Sequence, residues 1–189
     1  MVFMIKEEIR IIGWDDCRFK FHSKRVLVVG VIFRGSKAVD GLLSCRITKD
    51  GMDATEKIAS SIIESRHYDQ LSVIMLDGIS FGGFNLVDIK GLSKKTKMSV
   101  IVIQRKKPDM AKFLHAQKKL DNYKERTKIV KKAGKFYKYN DVYYQKSMIS
   151  NEDAERILDL TCIRSNIPEP IRVAHLIASG LSGESRGRA

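Results

Sequence analysis

The chain is poor in the residues and runs that mark several common protein classes. Its three cysteines, Cys17, Cys45 and Cys162, lie far apart and form no CxxC pair. Neither a disulfide framework nor a zinc ribbon is therefore predicted, and buried thiols in a reducing cytosol are expected. No apolar run approaches the length of a membrane span, and charge enters "MVFMIKEEIR" too early for a signal peptide. We expect a cytoplasmic protein that does not contact membranes.

The motifs of several enzyme classes are also missing. The four histidines show no HExxH spacing, and the glycines of "GISFGG" fit neither GxGxxG nor GxxxxGK. Ser80 of "GISFG" has no evident base partner, and no histidine is placed by sequence to activate Cys17. A histidine-rich zinc site, a dinucleotide site, a P-loop and a serine hydrolase are thus all unsupported. Any bound metal is expected to be a hard ion on oxygen ligands.

Acidic residues are scarce in one long segment of a chain whose formal net charge is +13. Residues 90 to 146 carry 18 lysines and arginines against four acids, and the remainder is close to neutral. A concentrated positive field favours a polyanion, of which nucleic acid is the commonest in a cytosol. The alternative is a solvated, lysine-rich helical face.

The apolar pattern predicts a mixed sheet. Three β-branched runs at 9–16, 25–35 and 41–48 have no helix-length segment between them, which indicates an antiparallel meander. Asp53 and Glu56 form a capping-box pattern that predicts a helix over 54–66. The following order is strand 71–77, helix 85–97 and strand 99–104, which implies a right-handed parallel crossover. The first strand is then expected beside the fourth.

The remaining chain is predicted to be mainly helical. Pro108 opens a basic helix that continues to Lys132 in one or two pieces, and 134–146 favours an irregular hairpin. Ser150 or Asn151 caps a helix to about 164, the prolines at 168 and 170 begin a last helix, and "SGESRGRA" has the composition of a frayed end. We expect one domain over 1–189, with a basic, aromatic-containing segment at about 105–146.

Carboxylates follow the strands that are predicted to be neighbours. Asp15 and Asp16 end the first strand, Asp77 ends the fourth, and Asp50 or Asp53 offers a third acid just past strand three. Carboxylates at adjoining strand ends form the oxygen cage that Mg²⁺ or Mn²⁺ accepts in phosphodiester hydrolysis. Aspartate and glycine are also ordinary turn residues, so a plain turn is an equal alternative on topology alone.

Basic and aromatic residues supply candidate contacts to nucleic acid. The cations of "RKKPD" follow a parallel strand and should emerge on the same rim as Asp77, where they are placed to hold a phosphate. Tyrosines interleaved with lysines suit stacking on unpaired bases, although packing of a small sheet is the commoner use. The candidates are Arg105, Lys106, Lys107, Lys112, Lys135, Tyr137 and Tyr139. His175 lies on an apolar helix face and is interpreted as a core histidine.

Five stretches of the chain carry a resemblance to a known family: "IIGWDDCRF", "VIMLDGISFGGFNLVDI", "VIVIQRKKPD", "IPEPIRVAHLIASGL" and "GESRGRA". Together they resemble the endonuclease V-like branch of the ribonuclease H fold, and within it an uncharacterised archaeal family related to endonuclease V. The resemblance implies a ribonuclease H-like mixed sheet flanked by helices. It also implies that Asp77 and either Asp15 or Asp16 are metal ligands. Arg105 or Lys106 stands at the position of the lysine that follows the next strand of endonuclease V.

The chain departs from endonuclease V at four places. His175 replaces an acid, Ile47 stands where a glutamate is expected unless Asp50 takes that role, and the glycine loop has Ser80 or Phe81 near the position of a histidine. "SKAVD" replaces the wedge that opens DNA at deaminated adenine. The expected function is a nuclease for DNA or RNA that depends on Mg²⁺ or Mn²⁺. The alternative is a non-catalytic nucleic-acid-binding protein on the same fold.

Overall fold

A seven-stranded mixed sheet forms the centre of the protein in its computed structural model, which describes residues 5–184. Most of the tail for which fraying was predicted lies outside these residues. The strands of this sheet are β1 (Arg10–Asp16), β2 (Arg25–Arg34), β3 (Ala38–Thr48), β4 (Leu71–Asp77), β7 (Ser99–Gln104), β8 (Tyr137–Tyr139) and β9 (Val142–Ser147). Their spatial order is β3-β2-β1-β4-β7-β9-β8. A separate two-stranded ribbon pairs β5 (Ser80–Phe81) with β6 (Asn85–Leu86).

Helices cover both faces of the sheet. They are α1 (Ala54–Ile63), α2 (Ile89–Thr96), α3 (Met110–Ala116), α4 (Tyr123–Lys132), α5 (Asn151–Thr161) and α6 (Glu169–Leu181). Apolar residues of α1, α2 and α4 pack with one face in the largest core cluster. Residues of α5 and α6 pack with the opposite face in two further clusters. Among the described residues, no helix is long and apolar enough to cross a membrane.

The strand directions bring the carboxyl ends of three strands to one edge of the sheet. β1 pairs with β4 in parallel, and β4 pairs with β7 in parallel, so that the carboxyl ends of all three strands lie side by side. The predicted meander, the parallel crossover and the neighbouring first and fourth strands are confirmed. Asp16, Asp77 and Gln104 therefore end adjacent strands at a common edge.

The predicted capping box at the start of α1 is wrong. Asp53 occupies the N-cap position but makes no side-chain cap hydrogen bond. Its carboxylate instead accepts hydrogen bonds from Thr48 N at 3.0 Å and from the Asn85 side-chain amide at 2.5 Å. The side-chain oxygen of Asn85, 31 positions along the chain, caps the helix by accepting from Ala54 N at 2.9 Å. Because Asn85 already belongs to β6, the helix predicted over 85–97 begins only at Ile89.

Gly13 allows α6 to lie directly on β1. A Cβ atom added to Gly13 would overlap the backbone of Pro170 in the first turn of α6. A residue with any side chain at this position would have to push the helix away from the strand. The close approach fixes the height of α6 over the carboxyl end of β1, and it sets the position of every residue further along that helix.

Candidate active site

Asp15, Asp77 and His175 meet at the carboxyl edge of the sheet. Each offers one ligand atom, and these atoms all lie within 4.8 Å of one another. Asp15 is buried at the end of β1, Asp77 ends β4, and His175 comes from the second turn of α6. Within residues 5–184 this is the one group of three or more histidine, cysteine or acidic side chains with such spacing. We call these three residues the edge cluster.

The interpretation of His175 as a core histidine is wrong. Its side chain is 35% exposed, and its Nδ1 lies 2.7 Å from Oδ2 of Asp15. The other carboxylate oxygen of Asp15 accepts from Asp16 N at 2.8 Å, so the Asp15 side chain is fixed on both sides. The apolar residues around His175 on α6 do face the sheet, but the helix runs to its edge, where the imidazole reaches the carboxylates. The one available sequence signal was its place where endonuclease V carries an acid.

Asp16 ties the glycine loop to β1. Its Oδ2 accepts a hydrogen bond from Gly82 N at 2.9 Å, and it is therefore outside the edge cluster although its charge acts on that cluster. Gly82 has a φ of 54°, a left-handed conformation that favours glycine. The two neighbouring aspartates thus divide their work: Asp15 contacts His175, and Asp16 holds the loop.

Asp50, the predicted third acid, is not part of the edge cluster. Its Oδ1 accepts from Phe84 N at 2.9 Å, and its own N–H donates to Gly82 O at 2.9 Å. A Cβ on Gly83 would collide with the Asp50 carboxylate. Asp53, the other candidate, is occupied by Thr48 and Asn85. Both acids therefore stabilise loops next to the site.

Burial and crowding of like charges raise the pKa of two acids at this edge. Burial, reinforced by the negative charge of Asp15, raises the pKa of Asp77 to about 6, against the opposing effects of Arg105 and His175. Burial likewise raises the pKa of Asp16 to about 6 in spite of its hydrogen bond from Gly82. The hydrogen bond to Asp15 raises the pKa of His175. Ionised carboxylates are thus costly here, as expected of a site that a cation would stabilise.

These pKa changes predict that the metal-free protein is more stable at pH 5 than at pH 8. An acid whose pKa rises from 3.8 to about 6 on folding stabilises the fold while protonated, and this contribution is lost as the pH rises through about 6. A histidine with a raised pKa acts with the same sign, because its contribution is also lost with rising pH. We expect each acid to contribute about 1 kcal/mol between these pH values. Urea unfolding in EDTA measures the difference.

The Asp77→Asn variant isolates the site from the titration of the rest of the protein. Its free energy of unfolding should depend less on pH between 5 and 8 than that of the wild type. The matched change Asp69→Asn, at an exposed residue near the opposite end of β4, should leave the wild-type dependence unaltered. Equal pH dependence in the wild type and Asp77→Asn would contradict the prediction.

The predicted nucleic-acid contacts fall into two groups. Arg105, Lys106 and Lys107 are exposed just beyond β7, and the charge of Arg105 acts on both Asp77 and His175. Lys112 and Lys135 are also exposed, although Lys112 lies 3.5 Å from Asp109. Tyr137 and Tyr139 are partly buried and pack against the second core cluster. Tyr137 stacks on Tyr144 with ring centroids 5.3 Å apart, and the hydroxyl of Tyr139 donates to Asp159.

A cavity of about 220 Å³ lies beside the strand end that carries Asp77. Its walls combine the glycine loop, the end of β7 and the start of the basic segment. They consist of Gly78, Ile79, Ser80, Gln104, Pro108, Met110, Phe113 and Phe136. The lining is largely apolar, with the side chains of Gln104 and Ser80 as polar groups. Such a composition suits a flat, partly polar ring.

The donor set of the edge cluster fits a divalent cation. Two carboxylates and an imidazole converge in a partly buried place where burial raises the pKa of Asp77 to about 6. Carboxylate oxygens suit Mg²⁺ and Mn²⁺, whereas an imidazole nitrogen extends the range toward transition metals. The set therefore differs from the all-oxygen cage predicted from sequence, because His175 takes the place of a third acid.

Solved structures of other proteins share the fold of this chain. The crystal structure of a protein of unknown function from Archaeoglobus fulgidus is 40% identical, with a TM-score of 0.87, and the match covers 92% of this chain and 98% of that one. Endonuclease V of Ciona intestinalis in complex with an inosine-containing DNA is 12% identical, with a TM-score of 0.56 and coverage of 87% and 82%. Human endonuclease V is 16% identical, with a TM-score of 0.55, and the match covers 89% of this chain and 82% of the human one. The predicted ribonuclease H-like fold of endonuclease V is confirmed.

Comparison of sequences shows the family to which the chain belongs. A model of the family described as endonuclease dU matches residues 7–182, so the chain belongs to that family. A protein named UPF0215 from Methanosarcina mazei is 50% identical over 194 residues, covering 99% of this chain and 98% of its own length. A further UPF0215 protein, from Methanothermobacter thermautotrophicus, is 47% identical over 191 residues, with coverage of 98% and 94%. The predicted relation to an archaeal family near endonuclease V is confirmed.

Proposed function

We propose that the protein is an endonuclease that hydrolyses phosphodiester bonds in nucleic acid with the help of a divalent cation. The observation that carries this proposal is the edge cluster, in which Asp15, Asp77 and His175 converge at the carboxyl edge of an endonuclease V-like sheet. Its membership of a family named endonuclease dU supports the same activity. We assign the three residues of the cluster as metal ligands and Mg²⁺ or Mn²⁺ as the cation.

Each residue of the cluster has a separate task in this proposal. A bound cation lowers the pKa of a water molecule and neutralises negative charge on the scissile phosphate. Asp15 holds the His175 ring in position through its contact with Nδ1. Asp77 supplies the second carboxylate. Asp16 does not bind the cation directly but keeps the glycine loop against β1.

The substrate is proposed from the cavity together with the names of the family and of one structural neighbour. The family name couples an endonuclease to dU, the abbreviation of deoxyuridine, and the Ciona enzyme was solved with inosine-containing DNA. We propose that the cavity beside Asp77 holds an unpaired nucleobase, with Gln104 able to hydrogen-bond its edge and Phe113 and Phe136 on its walls. Arg105, Lys106 and Lys107 then contact phosphates at the rim. Lys112, Lys135, Tyr137 and Tyr139 remain predicted contacts.

The alternative, binding without cleavage, is favoured by one observation. Asp50 takes no part in the edge cluster, so two carboxylates and one imidazole are present where a third acid was predicted. A site of this kind is able to hold a phosphate backbone without activating water. The two functions differ in whether strand breaks appear, which makes them separable in one assay.

The deciding experiment incubates the wild type with labelled DNA and RNA that contain deoxyuridine, deoxyinosine or no modified base, as single strands and as duplexes. We expect strand breaks with Mg²⁺ or Mn²⁺, and none in EDTA. Identically purified Asp15→Asn protein controls for contaminating nuclease and should lose at least about 100-fold in rate, because the substitution disturbs both a ligand and the orientation of His175. Tight binding with no cleavage in either metal would support the alternative.

A further inference from the structure

The loop between β1 and β2 exposes aromatic side chains beside the edge cluster. Phe21 is 83% exposed and Phe19 is 36% exposed. The stretch "CRFKFHSKR" (17–25) also contains four cations and no acid, although the chain outside residues 90 to 146 is close to neutral. Exposed phenylalanines next to concentrated positive charge are the side chains with which proteins grip unpaired nucleotides.

Several contacts within the protein hold these rings in place. Lys49, just past β3, donates from Nζ to Phe21 O at 2.6 Å. The same ammonium lies 4.7 Å from the centroid of the Phe21 ring and 5.7 Å from that of Phe19. His22 packs edge-on against Phe21 at 5.3 Å, and Lys20 N donates to the Ser23 hydroxyl at 3.1 Å. The loop is thus braced as a platform, which reduces the entropy lost on binding.

A basic cavity of about 480 Å³ adjoins the platform. Its lining includes the four cations Arg18, Lys20, Arg25 and Arg46, and none of the described residues that line it is acidic. The aromatic ring of Phe19 forms part of the wall. A concave site with several cations and no competing carboxylate is complementary to phosphate groups.

The cavity lies next to the edge cluster. Cys17, which lines the cavity, directly follows Asp15 and Asp16 in the chain. Leu181 at the end of α6, the helix that carries His175, and Ser182 just beyond it line the cavity as well. The cavity is therefore bordered by the chain segments that continue from Asp15 and from His175. A nucleic-acid strand with a phosphate at the edge cluster would then run toward the loop that follows Asp16.

We propose that the loop 17–25, together with Arg46 and Lys49, binds the unpaired strand next to the scissile phosphate. Phe21 stacks on a base, and the cavity cations hold the adjoining phosphates. The proposal rests on the proposed function in that it takes nucleic acid as the substrate. It names a single-strand grip that lies outside the segment 90 to 146, on the other side of β1 from the cavity beside Asp77.

Binding measured without cleavage tests the proposal. Fluorescence anisotropy in EDTA compares a labelled 20-nucleotide single strand with the duplex of the same sequence over a range of salt. We expect Phe21→Ala to weaken single-strand binding about tenfold, with little effect on the duplex. Arg46→Ala should weaken both and lower the salt slope by about one. Val39→Ala and Lys37→Ala, exposed residues at the opposite end of the sheet, are the matched controls and should stay within about twofold.

The results separate this proposal from the proposed function. A wild type that binds single strands through Phe21 and yet shows no cleavage would support the platform and contradict the proposed nuclease activity. Cleavage by the wild type with unchanged affinity and KM in Phe21→Ala would overturn the platform alone. Equal weakening of single strand and duplex would also overturn it. Vesicles rich in anionic lipid serve as a third probe, and Phe21-dependent binding to vesicles with unchanged binding to DNA would overturn it in favour of a membrane surface.

Discussion

Replacing Asp77 with asparagine is expected to lower metal-dependent cleavage by at least about 100-fold while leaving the binding of nucleic acid nearly intact. The substitution keeps the size of the side chain but removes one of the two carboxylates of the edge cluster. Because ionised Asp77 is costly at neutral pH, the metal-free variant should be more stable than the wild type. Loss of activity combined with gain of stability is typical of a strained functional site.

Three measurements check this prediction. Single-turnover cleavage gives the rate, anisotropy in EDTA gives the affinity for nucleic acid, and thermal unfolding with and without Mn²⁺ gives the stabilisation by the cation. We expect Mn²⁺ to raise the Tm of the wild type and of the control Asp69→Asn, and to raise that of Asp77→Asn much less. A variant that cleaves at the wild-type rate, or one that Mn²⁺ still stabilises in full, would show that Asp77 is not a ligand.

Replacing Arg126 with methionine is expected to lower the free energy of unfolding by about 3 to 5 kcal/mol. Arg126 is 2% exposed, and its guanidinium donates to three backbone carbonyls. It contacts Asp121 O at 3.0 Å, Asp50 O at 2.5 Å and Phe84 O. Methionine preserves the aliphatic stem but leaves these carbonyls without a donor, and the loops that contain Asp50 and Phe84 lose their connection to α4.

Urea unfolding measures the loss. Lys128→Met, an exposed position on the same helix, is the matched control and should change stability by less than about 0.5 kcal/mol. Arg126→Lys should fall between the two, because one ammonium cannot reach three carbonyls. A loss below about 1 kcal/mol for Arg126→Met would mean that water replaces the guanidinium. Cleavage should also fall, since the Asp50 loop supports Gly82, which Asp16 holds.

The frame of the site could be predicted from sequence because it follows from strand order. Continuous apolar runs give β4 and β7 at their observed bounds, and parallel neighbours place their carboxyl ends together. Asp15 and Asp77 then meet for topological reasons alone. β3 starts earlier than the predicted residue 41, and its first residues are held by ion pairs from Asp40 to Arg34 in the adjoining strand β2 and to Arg10 in β1. Such cross-strand pairs leave no local pattern.

The sequence could not predict which residues join Asp15 and Asp77 at the sheet edge, because this depends on contacts between distant loops and helices. The apolar face of α6 indicates burial but not the point at which the helix passes the sheet edge, so His175 was misassigned. Asp50 looks free in sequence, whereas Phe84 N occupies its carboxylate. Arg126 looks like one more cation of a basic surface, yet it is buried. Charge density therefore describes the field of the segment 90 to 146 and not the role of each residue.

The contact between Asp15 and His175 has a consequence for biosynthesis. The two residues are 160 positions apart, one on the first strand and the other on α6. While the chain is being made, a nascent polypeptide that has not yet exposed residue 175 has no complete edge cluster. Truncated or proteolysed fragments lacking α6 are in the same position. On the proposed function, cleavage of nucleic acid therefore becomes possible only after α6 has been synthesised and has packed against β1.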